Sequence, residues 1–468
     1  MAITNPLLLT DQQMKSFITN GFLILKTDFS KEFHAGLVEQ LNEIYDKEGN
    51  PGNNLLPRIR DVQRVFENPV IVGALTSVLG PDYLLHTHRH GHYNLSPQPG
   101  GWHKDSYWGY DRLRNHHPWW AMIMYFPQDT PLELGPTGVM PGTQYSESRT
   151  FAADEMAEEA TASGEAGTFA LIHYDIWHRS TANVLGRPRF MLKFEFMRTA
   201  APAGPTWDNK EQSWSEVELD SPSSVKSGIV EEEIWNWLSG NVGSLAGSKA
   251  EDEAAISKLV TQLEGDNEPS ALAAAYELAA RGSGGKDVLL KALHHDKVSV
   301  SRLAAYGLSV AGASVIPDLI AALDDSREET VNHAAFALGE LRDLAQAAVP
   351  KLNALLDQPS AKVRRTVMDV LGMIGVPTDA VVAGLIKGLQ DEDEQVRFTA
   401  GLSLTRIGTE AEAAVPYLEE SLADENRYVR GHALEALRYI GTKEANEVLM
   451  KELFNTRWCS TTTPASTF

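Results

Sequence analysis

A repeat of 33 residues constrains this chain more than any other feature of its sequence. Leu323, Leu356, Leu389 and Leu422 recur at that interval, and so do Val363, Val396 and Val429, each followed by an arginine (Arg364, Arg397, Arg430). Pro317, Pro350 and Pro416 fall in the same frame, with Ala383 in the remaining slot. Proline suits the first turn of a helix, where its missing N–H is not needed. The segments "LGELR", "LGMIG", "LTRIG" and "LRYIG" close the units. A unit this short cannot bury an apolar face by itself, so successive units must stack and share a core. Two looser copies fill 253–312, which makes six.

Two helices per unit, with an Asp-containing turn between them, resemble short HEAT-like repeats; the ankyrin and tetratricopeptide signatures are absent. The expectation is an all-α HEAT-like solenoid over 247–455 followed by a flexible tail, 456–468. The 468 residues exceed what one core organises. Tryptophan usage marks the break, because none occurs from 238 to 457. The first domain is therefore read as 1–246, with a core at about 8–200 and a connector, 199–246, whose Trp207, Trp214, Trp235 and Trp237 are expected to pack back on that core, Trp235 and Trp237 being also the candidates to seat the repeats against it. A net charge of -22 and the absence of a Lys/Arg run argue against nucleic acid or an anionic membrane as partner. The single cysteine, Cys459, excludes an intrachain disulfide and a thiolate zinc site, leaving histidine and carboxylate as metal ligands. The N-terminus lacks a basic n-region and no apolar run is long enough to span a bilayer, so a cytoplasmic protein is expected.

Thr10 and Gln13 form a capping box that opens a helix; a strand at Phe22–Lys26 and an amphipathic helix through "EFHAGLVEQLNEIY" follow. From Tyr83 to about Arg198 the pattern becomes short β-branched and aromatic runs, "YLLHTHRHGHYNL", "WAMIMYF", "TFALIHYDIW" and "RFMLKFEFM", separated by turn-rich stretches. The fold class expected is multidomain α+β: a jelly-roll core with flanking helices, then the helical solenoid.

The chemistry lies in "GGWHKDSYWGYDRLRNHHPWW", residues 100–120. Side chains at i and i+2 of a strand share a face, so His103 and Asp105 can reach one metal while Lys104 points away. His178, at the end of another strand, is the candidate third ligand. Two histidines and one carboxylate leave coordination positions open, the arrangement of non-haem Fe(II) oxygenases. Arg189 could hold a distal carboxylate of 2-oxoglutarate in a bidentate pair. Arg187 competes with it across Pro188, but Arg189 begins the alternation Arg189, Met191, Lys193, Glu195, which gives it a defined direction.

"WHKD", "LGPTGVMPGTQ" and "DIWHRSTANVLGRPRF", together with the opening "LTDQQMKSFITNGFLIL", resemble the phytanoyl-CoA dioxygenase family of Fe(II)/2-oxoglutarate oxygenases over roughly residues 8–200. The resemblance implies a double-stranded β-helix core with Fe(II) on His103, Asp105 and His178. It also implies 2-oxoglutarate on Arg189 assisted by Ser180, O2 as co-substrate, and hydroxylation of a substrate with release of succinate and CO2. His86, His88, His90 and His92 share a strand face and are read as lining the interior, with His92 or Asn94 nearest to 2-oxoglutarate. Trp108, Arg112, Arg114, Trp119 and Trp120 are the candidate substrate contacts. The cluster of histidines and arginines around the site suggests a small polar or anionic substrate. The alternative is that the repeats carry the function, binding a protein partner or a second copy, while the first domain is a metal-stabilised jelly roll without oxygenase activity.

Overall fold

Thr10 caps the first helix as its side chain requires: its hydroxyl accepts from the Gln13 amide at 3.3 Å, and the Gln13 side chain accepts from the Thr10 amide at 3.0 Å. The computed structural model describes residues 5–105, 113–151, 159–216 and 227–455. Two units divide it, Met1–Val242 and Gly243–Phe468. No helix among the described residues is long and apolar enough to cross a membrane.

In the first unit, α1 (Asp11–Asn20), α2 (Lys31–Glu48), α3 (Leu55–Arg58), α4 (Asp61–Phe66) and α5 (Pro69–Leu79) flank eight strands. The strands are β1 (Phe22–Lys26), β2 (Leu84–Asn94), β3 (Trp120–Tyr125), β4 (Thr137–Val139), β5 (Ala160–Thr161), β6 (Thr168–His173), β7 (His178–Ser180) and β8 (Arg189–Met197). They form a five-stranded sheet, β1-β6-β3-β8-β2, and a three-stranded sheet, β5-β4-β7. An antiparallel bridge between His103 and His178 extends the smaller sheet. β3, β6 and β8 are buried along their whole length, which is why their sequences read as near-continuous apolar runs. β2 is irregular: its register against β8 jumps by four residues, Leu85 to Arg89, where β8 advances by two.

The connector belongs to this unit. In α6 (Gly228–Leu238), Trp235 and Trp237 are buried. Trp237 lies flat on His117 with ring centroids 4.4 Å apart, and Trp235 meets Trp207 at 5.1 Å. Asp11 accepts from the Trp207 indole at 2.6 Å and from the amides of Lys210 and Glu211, tying the connector to α1. Trp207, Trp235 and Trp237 thus pack inside the first unit, as expected from the sequence.

The second unit is helical. Its six antiparallel pairs are Glu253–Leu263 with Glu268–Ala279, Gly282–Leu293 with Val298–Ser309, Ile316–Ala322 with Glu328–Glu340, Val349–Leu355 with Ala361–Ile374, Thr378–Leu389 with Glu394–Ile407, and Val415–Ser421 with Arg427–Ile440; Lys443–Asn455 closes it. The recurring Val-Arg pair now has a physical basis. Val363, Val396 and Val429 enter the shared core, while Arg364 and Arg397 cross to the next repeat. Arg364 pairs with both oxygens of Asp391 at 2.7 and 2.9 Å and donates to the carbonyls of Gln358 and Pro359. Arg397 repeats the pattern with Asp424 and the carbonyls of Asp391 and Glu392.

Two outcomes follow. Arg364→Ala should cost the repeats about 2–3 kcal/mol in urea unfolding followed at 222 nm, because it leaves two carbonyls and Asp391 without their buried donor; a loss below about 0.5 kcal/mol would place the ladder among surface ion pairs. A chain ending at 246 should melt cooperatively and one ending at 226 should not, since only the first keeps Trp235 and Trp237.

Candidate active site

His103 and His178 are joined by two backbone hydrogen bonds, each 3.0 Å, and this close pair sets the phase of both segments. Residues at odd offsets face away from the ligand side. Arg179 stacks on Trp102 at 4.5 Å, Lys104 lies 5.7 Å from the Trp177 ring, and Phe151 packs edge-on against both tryptophans. Arg179 is in turn held by Glu159 through two hydrogen bonds, 2.9 and 2.5 Å. Even offsets return to the ligand side and bring Asp105 beside the histidines. One ligand atom from each of His103, Asp105 and His178 lies within 4.8 Å of the others.

The tautomers are fixed from behind. Nδ1–H of His103 donates to the Gly101 carbonyl at 2.9 Å, and Nδ1–H of His178 donates to the Ile176 carbonyl at 3.1 Å. Both Nε2 atoms are then lone-pair acceptors aimed into the site. Nε2 of His178 is 3.1 Å from Oδ2 of Asp105. An imidazole nitrogen and a carboxylate oxygen this close can share a proton or a divalent ion, and with the His103 ligand atom beside them the donor set fits a divalent metal. Burial raises the Asp105 pKa, but the Lys193 ammonium and His178 outweigh it and hold the carboxyl well below its usual range. Burial keeps His103 neutral. Both shifts favour the ligating forms of Asp105 and His103.

β8 supplies the neighbouring wall. Its register places Arg189 opposite Asn94, Met191 opposite His92 and Lys193 opposite His90, so these residues share the interior face. Arg189 is 2% exposed, whereas Arg187 is exposed, which separates the two candidates. Arg189 Nε donates to the Gly135 carbonyl at 2.9 Å, a group turned inward by a left-handed Gly135 (φ 76°). Nη1 of Arg189 is buried without a hydrogen-bond partner, and no carboxylate pairs with it among the described residues. Burial alone pushes its pKa down to about 10. Nε2 of His92 and Nδ2 of Asn94 are likewise buried without partners. A buried cation with no counter-ion is costly, and a ligand carboxylate would offset that cost. Ser180 lies two residues past His178 on the same face, closely backed by Gly100, where a Cβ would come 2.7 Å from the Ser180 hydroxyl.

The substrate contacts expected from sequence do not gather here. Arg114 is committed to Asp175 at 2.6 Å and Glu147 at 2.7 Å and is buried. Trp119 packs edge-on against Trp237, and Trp120 lies in β3 against His86 and Tyr174. Trp108 and Arg112 lie outside the described residues. The histidine cluster does not supply positive charge: burial pushes His86, His92 and His116 down to about 3, and His88 and His173 to about 4. The expected inversion of charge at the site is corrected accordingly. Two residues without an assigned role do enter it. Lys193 lies 2.6 Å from Asp105, and Glu195 lies 3.7 Å beyond Lys193, with His86 and His88 beside it. Their signal was the alternation that begins at Arg189.

Comparison with known proteins gives two family matches. Residues 26–191 match the phytanoyl-CoA dioxygenase (PhyH) family, and residues 316–382, 349–438 and 382–456 match HEAT repeats. Among solved structures, the chain is similar to the non-heme alpha ketoglutarate dependent carbocyclase SnoK from nogalamycin biosynthesis (15% identity, 42% of this chain and 88% of that one, TM-score 0.34). It is also similar to EctD from S. alaskensis in its apoform (17%, 42% and 79%, 0.34) and to HygX from Streptomyces hygroscopicus with nickel and 2-oxoglutarate bound (13%, 41% and 88%, 0.34). No curated protein matches the sequence.

The neutral histidines predict an acid transition. His86, His116 and His173 stay unprotonated in the folded state, while the unfolded chain takes up protons below about pH 6.5. Their contribution is therefore complete above that value and is lost as pH falls toward about 4 for His173 and about 3 for His86 and His116, each by about 1.4 kcal/mol per pH unit. Nine of the ten tryptophans lie in residues 1–237. Tryptophan emission should shift to the red at higher pH than the 222 nm ellipticity falls. A helical loss that comes first would contradict this.

Proposed function

We propose that this chain, whose residues 26–191 are a domain of the phytanoyl-CoA dioxygenase family, is an Fe(II)- and 2-oxoglutarate-dependent dioxygenase that hydroxylates a small polar organic substrate, with release of succinate and CO2. His103, Asp105 and His178 would hold the iron. Arg189, supported by Ser180, His92 and Asn94, would hold the distal carboxylate of 2-oxoglutarate. Iron and 2-oxoglutarate together supply the activation of O2, a chemistry no side chain provides.

The observation that carries the reading is the coincidence, inside one jelly roll, of a metal-type donor set with a buried arginine that lacks an anion. A metal-stabilised scaffold would account for the first and leave the second unexplained. The chain's own contribution is geometric and electrostatic. The Gly101 and Ile176 carbonyls aim the two imidazoles, Lys193 keeps Asp105 ionised, and the buried walls of β3 and β8 exclude water. A polar substrate is favoured because the interior beyond the triad carries Lys193 and Glu195; the anionic form of that reading loses the histidine charge on which it stood. The HEAT repeats are read as a surface for a protein partner.

His103→Ala and Asp105→Ala should each abolish Fe(II)-dependent succinate formation with the fold intact by circular dichroism. Arg189→Ala should raise the 2-oxoglutarate KM by about 10- to 150-fold, the equivalent of about 1.5–3 kcal/mol for a lost charge-assisted contact. Unchanged turnover in Asp105→Ala, or an unchanged KM in Arg189→Ala, would overturn the assignment.

A further inference from the structure

Lys193 is the one cation that touches the proposed ligand set among the described residues. Its ammonium is 2.6 Å from Oδ2 of Asp105, and that same oxygen faces Nε2 of His178 at 3.1 Å. The oxygen that would take the metal is thus already engaged by a positive charge. On its other side Lys193 has a second acceptor, Glu195, at 3.7 Å. The ammonium and the Glu195 carboxylate belong to β8, which lies between β3 and β2 and is hydrogen-bonded to both, and Asp105 meets them from another segment. The side chain has little room to leave, but it can redistribute between Asp105 and Glu195.

We propose that Lys193 is the resident counter-ion of Asp105, a positioning residue that neutralises the metal-ligand carboxylate in the metal-free protein and moves its contact toward Glu195 when a divalent ion binds. This rests on the metal site proposed above and deepens it. Two consequences are physical. An isolated carboxylate in this buried setting would be costly, so Lys193 stabilises the metal-free fold. The same ammonium beside the entering cation opposes it, so Lys193 weakens intrinsic metal affinity. Glu195 relieves that opposition by accepting the displaced charge. Metal loading becomes an exchange of one cation for another on Asp105, with the site kept open and ionised in between.

Mn(II) binding to the chelator-stripped full chain, followed by calorimetry without 2-oxoglutarate, tests this independently of turnover. Lys193→Met should bind Mn(II) about tenfold or more tightly, because a like charge beside the ion has gone. Its metal-free melting temperature should fall and its rise on adding Mn(II) should exceed that of the wild type. Lys193→Arg, which keeps the charge, should bind within about threefold of wild type. Glu195→Gln should bind more weakly, because the ammonium then has only Asp105. Unchanged or weaker binding in a folded Lys193→Met would overturn the proposal. If Lys193→Met does not fold, Glu195→Gln decides, and unchanged or tighter binding there overturns it. Wild-type binding that Asp105→Ala abolishes leaves these variants to test the counter-ion alone. A wild type that binds no Mn(II) removes the metal site and this proposal with it.

Discussion

The antiparallel bridge between His103 and His178 holds together two segments 75 positions apart, and the rest of the site inherits its phase. Because side chains alternate, a slip of one residue would turn Trp102 or Lys104 inward and send a histidine to the back. The layer of Trp102, Phe151, Trp177 and Arg179 behind the bridge makes that slip costly, since large apolar rings would have to exchange places with imidazoles. Residues that lack metal chemistry therefore decide where the metal chemistry sits.

Charge balance inside the jelly roll ties the parts together. Arg189 and Lys193 face Asp105 and Glu195, so the interior face of β8 and its neighbour are electrically neutral as a set, yet unevenly so. Lys193 lies between two carboxylates, and Arg189 has none among the described residues. A divalent cation at the triad and a dicarboxylate reaching Arg189 would add equal and opposite charge, preserving neutrality while correcting the imbalance. A single metal or a single anion would not. His86, His88 and His92 on β2 stay out of this balance because burial lowers their pKa values far enough to keep them neutral.

Much of this was legible in sequence, for physical reasons that differ by region. The solenoid declares itself because stacking units must present the same core residue at the same place, hence Val363, Val396 and Val429. The grouping of His103 with Asp105 was legible because period-two spacing determines which residues share a face, and Arg189 stood apart from Arg187 as the residue at which the strand alternation begins. α5 was not seen, because its sequence "PVIVGALTSVL" is apolar on all sides and carries no helical period. The partners of Arg114, Trp119 and Trp120, namely Asp175, Trp237 and Tyr174, were not legible because they are distant in sequence. Nor can spacing reveal whether a histidine is charged, which here depends on burial by elements from the whole unit. Lys193 and Glu195 were visible as an alternation, but their meaning required knowing that Asp105 lies across from them.

The central claim is that one interior holds both a metal and a dicarboxylate, and diffraction at the iron edge tests it most directly. Crystals of the full chain grown anaerobically with Fe(II) and 2-oxoglutarate should show one anomalous peak, about 2.0–2.2 Å from Nε2 of His103, Nε2 of His178 and a carboxylate oxygen of Asp105. The distal carboxylate of 2-oxoglutarate should pair with Arg189. Iron bound elsewhere, or iron at the triad with 2-oxoglutarate absent from Arg189, would contradict the account.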